Sequence, residues 1–537
     1  MKRTIFLLSL ISLILSENAN AQGHPNILLV IADDLGVDHS NGYHEPQVRP
    51  TTPTLDSLRS VGITFENAFA TPLCAPTRAA IMSGKYGVAN GVTRLMVGLD
   101  TSNTSIFKEL ANQTNSAYAD AVIGKWHLSP QPIDNNHPVK HGVDYFMGPI
   151  GGAVDDYFLW DKVENGIETQ EDTYATTAFT DASIDWIQNQ TKPWFLWQTH
   201  IAPHNPLHVP PANMFSISGT NTDLRQFVAM IESLDFELNR LLKSLSPAER
   251  DNTVVIFIGD NGTPLNLLRD YPNRHGKGSL YQGGIRVPFI VAGKGISRKG
   301  ERESALVHLL DIYATILEIA GVNLPGGIYN SLSFKHLLTG ETGAKRNYNY
   351  SEIEGVLGGS GYTIRDQQYK LIKLDNDVEE MYDLITDSLE FNNLLLEPLT
   401  ADQQNVKTDL EAEAQAIRTN FWTCRDHIQN GDEAGIDCGG SFCTPCSSGT
   451  IELNSIDFKV FPNPADEFVV IQILGLATHN HQVKVFDISG KQVAKAEILL
   501  GNTMCRIDTR TFYSGEYFTQ ISDGVNMGVA KFMITKE

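Results

Sequence analysis

Six cysteines in 537 residues are too few to hold a chain of this length together by disulfides, and four of them, Cys424, Cys438, Cys443 and Cys446, crowd into one short stretch. The remaining fold must therefore rest on apolar cores. Basic residues are also scarce: 41 Lys and Arg face 63 Asp and Glu, a formal net charge of −22. That balance excludes nucleic acid as a partner, because phosphate binding needs a basic footprint. It also makes anionic ligands unwelcome wherever cations are not locally gathered. Long apolar runs are missing beyond the first residues, so no transmembrane segment is expected. The one exception, Ile5 to Leu15, follows Met1-Lys2-Arg3 and precedes Ala19-Asn20-Ala21, the pattern of a signal peptide over residues 1–21. The mature chain is expected to begin near Gln22 and to reach a compartment that permits disulfides.

Between these limits lies enough chain for one large α/β core and smaller modules. Asn26-Ile27-Leu28-Leu29-Val30-Ile31-Ala32 is a continuous aliphatic run, the mark of a strand buried on both faces, and it ends in Asp33-Asp34. Ala121-Val122-Ile123 runs into Gly124-Lys125-Trp126-His127, Trp194-Phe195-Leu196-Trp197 into Thr199-His200, and Thr253 to Gly259 into Asp260-Asn261-Gly262. Helix-like segments, Pro53 to Val61 and Leu224 to Ser244, alternate with them. Strand, helix, strand in succession predicts a large, mostly parallel sheet with helices on both faces. Ligands of such sheets collect at the carboxyl ends of the strands, where every one of these polar clusters falls.

Each cluster is weak alone. Asp-Asp and Asp-Asn-Gly are ordinary turn sequences, yet together they offer hard oxygen ligands that suit calcium or magnesium better than zinc. Lys125 and His127 alternate along an extended segment, which predicts side chains on one face with Trp126 on the other. Of His200, His204 and His208, in a proline-broken loop, one is expected to be functional. In His275-Gly276-Lys277-Gly278 the glycines allow backbone to approach a ligand. Cys74 opens Cys74-Ala75-Pro76-Thr77-Arg78, leading through a short helical stretch to Gly84-Lys85; alone it reads as a small buried hydrophobe.

In chain order, Asp33-Asp34, Cys74 to Lys85, Gly124 to His127, Pro203-His204-Asn205-Pro206, Asp260-Asn261 and Gly276-Lys277-Gly278 resemble the motif set of the type I formylglycine-dependent sulfatases over residues 24 to 420. The resemblance implies an alkaline-phosphatase-like α/β sandwich: a catalytic domain over residues 22–345 and a small antiparallel subdomain over 346–420 that contains Glu380-Met381-Tyr382-Asp383-Leu384. It implies that Cys74 is oxidised to Cα-formylglycine (3-oxoalanine) by a sulfatase-maturating enzyme before export. One Ca2+ ion is expected on Asp33, Asp34, Asp260, Asn261 and the modified residue 74. By the same resemblance Arg78 favours the ionised hydroxyl that attacks sulfur, while Lys277 and His204 hold sulfate and protonate the departing alcohol. Lys125 helps bind sulfate, and His127 deprotonates the second hydroxyl so that sulfate is expelled. Near Gly151-Gly152 the chain has glycines where many relatives place a polar residue.

The far end is a different kind of sequence. Residues 421–450 are short, acidic and glycine-rich; Cys443 and Cys446 resemble half a zinc site without a second closely spaced pair, so a linker stapled by two disulfides is expected. Residues 451–537 carry short alternating strands, Phe468 to Ile473, Val483 to Phe486 and Tyr517 to Ile521, which predict a small β-sandwich. Val460 to Ala465, Asp487 to Lys491 and Ser514 to Phe518 resemble the C-terminal sorting domain of type IX secretion cargo, the alternative being a carbohydrate-binding module. Three functions follow: a secreted or surface-attached sulfatase acting on a sulfated, algal polysaccharide or its oligosaccharides, a phosphate or phosphonate monoester hydrolase of the same superfamily, or a non-catalytic sulfoglycan-binding protein.

Overall fold

A computed structural model describes residues 24–43, 48–324, 326–355, 359–423, 458–473, 480–487, 492–499, 501–522 and 527–536. The signal peptide and the four clustered cysteines expected above lie outside the described residues. The chain divides into two compact units, Met1–Thr444 and Pro445–Glu537.

The first unit is built on a ten-stranded sheet. Its strands are β1 (Asn26–Ala32), β2 (Ile63–Phe69), β3 (Ala119–Gly124), β4 (Tyr145–Gly148), β5 (Trp160–Glu164), β6 (Ile167–Glu171), β7 (Trp194–Thr199), β8 (Thr253–Gly259), β9 (Phe289–Gly293) and β10 (Glu301–His308). They lie in the order β10-β2-β9-β8-β1-β7-β3-β4-β5-β6. The centre, β8-β1-β7-β3-β4, is wholly parallel, and only β5 and β9 run against the rest. The aliphatic run of β1 explains its central place. Ile27, Leu29 and Ile31 enter one apolar cluster and Leu28, Val30 and Ala32 the other, as a two-residue period requires. The first cluster is closed by helices Cys74–Ser83, Ile106–Thr114 and Asp311–Ile319; the second by Pro53–Val61, Ala175–Gln188 and Asp223–Ser244. Each fully buried Leu or Ile contributes about 1.5–3 kcal/mol against an exposed reference, so covering both faces of β1 outweighs any local preference along it.

Register then levels the strand ends. Ile31 pairs with Thr199, Ala32 with Gly259, and Gly124 with Thr199, so Asp33, Lys125, His200 and Asp260 all emerge at one sheet edge. Beside this edge stands a four-stranded antiparallel sheet, β11 (Asn349–Ile353), β12 (Gly361–Arg365), β13 (Tyr369–Leu374) and β14 (Glu379–Asp383). Leu73, Leu280, Ile353, Ile372 and Tyr382 form one cluster, which fixes this sheet against the entry to the Cys74 helix. The second unit is a small β-sandwich. A three-stranded and a four-stranded antiparallel sheet share a core that includes Val469, Ile471, Val483, Val485, Ile521 and Phe532.

His200 shows what the buried strand edge demands of a titratable group. It is fully buried, neither ring nitrogen has a hydrogen-bond partner among the described residues, and burial pushes its pKa down from 6.5 to about 3. The unfolded chain binds this proton below 6.5 and the folded one does not, so stability is lost as pH falls through that window. Acid titration of thermal unfolding is expected to show a slope of up to about 1.4 kcal/mol per pH unit from this residue. The slope should shrink in His200→Leu; an unchanged slope would mean that His200 keeps its proton on folding.

Candidate functional site at the carboxyl edge of the sheet

Cys74 is the first residue of the Cys74–Ser83 helix, and all ten residues of that helix are buried. The helix therefore cannot lie on the surface, and its first turn is pressed against the strand ends. Thr77 holds the entry: its hydroxyl accepts from the Thr71 amide at 3.0 Å while its own amide donates to the Leu73 carbonyl at 3.2 Å. Arg78, four residues on, shares the helix face of Cys74. Its guanidinium donates to Asp260 Oδ2 from Nε at 3.1 Å and from Nη2 at 2.8 Å, to Asp33 Oδ2 at 3.2 Å, to the Lys125 carbonyl at 2.9 Å, and to the Thr199 hydroxyl.

The other residues close around this core. Lys125 Nζ pairs with Asp33 Oδ2, and Lys277 Nζ with Asp34 Oδ1 at 2.5 Å. Asn261 Nδ2 donates to Asp34 Oδ1 at 2.8 Å, and the Asp34 amide donates to Asp260 Oδ1 at 3.2 Å. His204 Nε2 lies 3.9 Å from Asp34 Oδ2, and His127 Nδ1 lies 3.3 Å from Cys74 Sγ. Thus Asp33, Asp34, Cys74, Arg78, Lys125, His127, His204, Asp260, Asn261 and Lys277 form one connected cluster. Of the three loop histidines only His204 joins it. His200 is buried apart, and His208 packs on Tyr157 with ring centroids 4.2 Å apart.

Lys125 and His127 both face the cluster and Trp126 turns away to donate to His137 Nδ1 at 3.0 Å, though not by the extended alternation expected. Strand β3 stops at Gly124, whose φ of 114° brings its backbone against the Thr199 carbonyl, and His127 itself has φ 58°. A left-handed turn, rather than a pleat, aims the imidazole. Gly152 completes the arrangement: a Cβ there would lie 2.5 Å from the His127 ring, so glycine is what leaves room for it. Two further contributors stand in no motif. Thr199 is by sequence only a strand end, and its register opposite Gly124 is what places its hydroxyl on Arg78. Tyr157, which donates to the His204 carbonyl at 2.6 Å, carries no local signal at all.

Electrostatics divides the roles. Burial opposes ionisation of Asp33, but Lys125, with His204, Arg78 and Lys277, overcomes it and holds the carboxyl well below the usual range. Burial pushes the Cys74 thiol up against the pull of Lys125 and Lys277, so the encoded thiol stays protonated and is a poor nucleophile. Burial, reinforced by Lys125 and Arg78, pushes His127 far down, leaving a neutral imidazole able to accept a proton. Lys277 is raised by Asp34 despite its burial and stays charged. Two oxygens in this cation-rich pocket, Asp33 Oδ1 and Asn261 Oδ1, are buried acceptors without a hydrogen-bond partner among the described residues. Ligand atoms of Asp33, Asp34 and His204 lie within 4.8 Å of one another. Hard, buried oxygens of this kind beside that group fit a divalent cation.

Residues 25–322 match the sulfatase family, residues 274–420 the N-sulphoglucosamine sulphohydrolase C-terminal family, and residues 459–535 the secretion system C-terminal sorting domain. The chain is 28% identical to arylsulfatase J of Mus musculus over 320 residues, 55% of this chain and 52% of that one. It is 26% identical to the N-acetylglucosamine-6-O-sulfatase of Bacteroides thetaiotaomicron over 524 residues, 76% of this chain and 90% of the other. The solved structure of Ps i-CgsB in complex with k-i-k-neocarrahexaose superposes with a TM-score of 0.64 at 26% identity, covering 74% of this chain and 93% of that one. The match to the first of these relatives thus spans about half of that relative's length.

Gly152→Ala tests the placement of His127. The added methyl must displace the imidazole, so turnover of a small ester substrate is expected to fall by about tenfold to a hundredfold while the melting temperature stays within about 2 °C. Unchanged turnover would show that the ring needs no such space.

Proposed function

The chain belongs to the sulfatase family, and from that premise we propose that it hydrolyses sulfate esters on sulfated polysaccharides or oligosaccharides outside the cell. The observation that carries the reading is the gathering of Arg78, Lys125, His204 and Lys277 on the Asp33, Asp34 and Asp260 carboxylates, with His127 on Cys74, around carboxylate and amide oxygens left unsatisfied. Conversion of Cys74 to Cα-formylglycine by a sulfatase-maturating enzyme would supply a hydrated aldehyde, whose paired hydroxyls permit attack on sulfur and later release of sulfate. Asp33, Asp34, Asp260 and Asn261, with residue 74, would hold a Ca2+ ion that draws negative charge into the site.

The remaining work falls to side chains already in place. Lys277 and Lys125 bind the sulfate oxygens as fixed cations, an arrangement worth most where water is excluded. His204, at the open side, donates a proton to the departing alcohol oxygen; the bound sulfate anion favours its charged form against the burial that otherwise lowers it. His127, neutral and 3.3 Å from residue 74, takes a proton from that residue in the second half of the cycle. Arg78 orients Asp33 and Asp260 while keeping its own charge beside residue 74.

Substrate class is supported by the relatives: N-acetylglucosamine-6-O-sulfatase acts at a sulfated amino sugar, and a neocarrahexaose occupies the structural neighbour. Glycosaminoglycan-like and algal sulfated glycans are the proposed range. The sorting domain marks the chain for export by the type IX secretion system to the cell surface or beyond. A phosphomonoesterase of the same superfamily is the second reading, since the pocket would accept another tetrahedral anion. Matched aryl sulfate and aryl phosphate decide between them, with and without chelator. Sulfate release should be faster, should fall on chelation and should return with Ca2+. Faster phosphate release would assign the site to phosphate esters, and turnover of neither beside firm binding of a sulfated glycan would make the protein a binder.

A further inference from the structure

Against the outer flank of Lys277 opens a cavity of about 440 Å³, between the His275–Gly278 loop and the four-stranded sheet. This is a volume within the range of about 300–1,000 Å³ usual for small-molecule sites. Ile372 and Leu374 of β13 supply an apolar wall. His275 and Tyr281 stack on each other, ring centroids 3.5 Å apart and planes within 3°, and Tyr281 is anchored by donating to Glu380 Oε2 at 2.7 Å. Arg274 lines the same cavity. It is exposed, and no hydrogen bond or ion pair joins its guanidinium to any described residue. Its backbone has φ 72°, a conformation that costs a non-glycine residue energy and that persists at positions where a side chain must be aimed.

An unpaired arginine held in a strained conformation beside Lys277 is unusual in a chain whose net charge is −22. The apolar wall and the stacked rings suit the faces of a sugar ring, and the guanidinium suits a planar or tetrahedral anion. We propose that this cavity is a second subsite, which receives the sugar unit next to the one being desulfated, and that Arg274 pairs with an anionic group on that neighbour. This rests on the sulfatase reading above. It makes the substrate an oligosaccharide charged on at least two successive units, with sulfate or carboxylate on the second.

Four probes test it on the full-length, matured protein: a small aryl sulfate, and disaccharides sulfated on the reacting unit whose neighbour is neutral, sulfated or a uronic acid. Arg274→Ala should raise KM about tenfold or more for at least one of the two charged neighbours, the loss expected for a charge-assisted bond, with kcat within about twofold. The aryl sulfate and the neutral neighbour should be unaffected, and Arg274→Lys should recover part of the loss. Whichever charged neighbour suffers more identifies the group Arg274 holds. Equal losses on all four probes, or none on any, would overturn the subsite. If wild type turns over none of them, the sulfatase reading fails. Calorimetric binding of the charged disaccharides to wild type and Arg274→Ala then decides the subsite alone, equal affinities contradicting it.

Discussion

The guanidinium of Arg78 is the point through which the site is held together. It joins Asp33 after β1, Asp260 after β8, the Lys125 carbonyl after β3 and the Thr199 hydroxyl at the end of β7 to the helix that begins with Cys74. The farthest partner, Asp260, lies 182 residues from Arg78 in sequence. A charge this deeply buried is tolerated only when its partners are complete, and loss of one side of such a network typically costs about 3–5 kcal/mol. The network therefore requires four strand ends to stop at the same level, which the parallel register of the sheet provides. The positions of Cys74, of the Asp33 and Asp260 carboxylates and of Lys125 follow from that single constraint.

The same constraint explains why charge is so unevenly used. Overall the chain is strongly acidic, and its cations at this edge are each committed: Arg78 and Lys125 to Asp33, Lys277 to Asp34. Local balance lets a tetrahedral anion approach a protein whose mean field would repel it. The buried thiol fits this logic poorly as a working group, since burial raises its pKa and keeps it protonated. It fits well as the precursor of a group that needs no thiolate.

Much of this was readable from sequence because strand ends announce themselves. An apolar run that stops in Asp-Asp or Asp-Asn-Gly places those residues at a sheet edge whatever the rest does, and Cys74, Arg78, Lys125, His204 and Lys277 stood in recognisable motifs. What could not be read were contacts set by backbone turns. His127 reaches Cys74 through a left-handed residue, not through strand alternation; Gly152 matters through the volume it leaves empty. Tyr157 and Arg274 are placed by segments far along the chain, Tyr157 on the His204 carbonyl and Arg274 at a cavity walled by β13. Neither has a local pattern to betray it, because tertiary packing chooses its surroundings.

The central claim is that residue 74 does not work as cysteine. Its most direct test is the mass of the proteolytic peptide containing residue 74, measured on active protein made in a host that carries a sulfatase-maturating enzyme. The account predicts a peptide lighter than the encoded sequence, as an aldehyde in place of the thiol requires, and a folded but inactive protein with the unmodified mass from a host without that enzyme. Full activity in a preparation whose peptide carries only the thiol would contradict it.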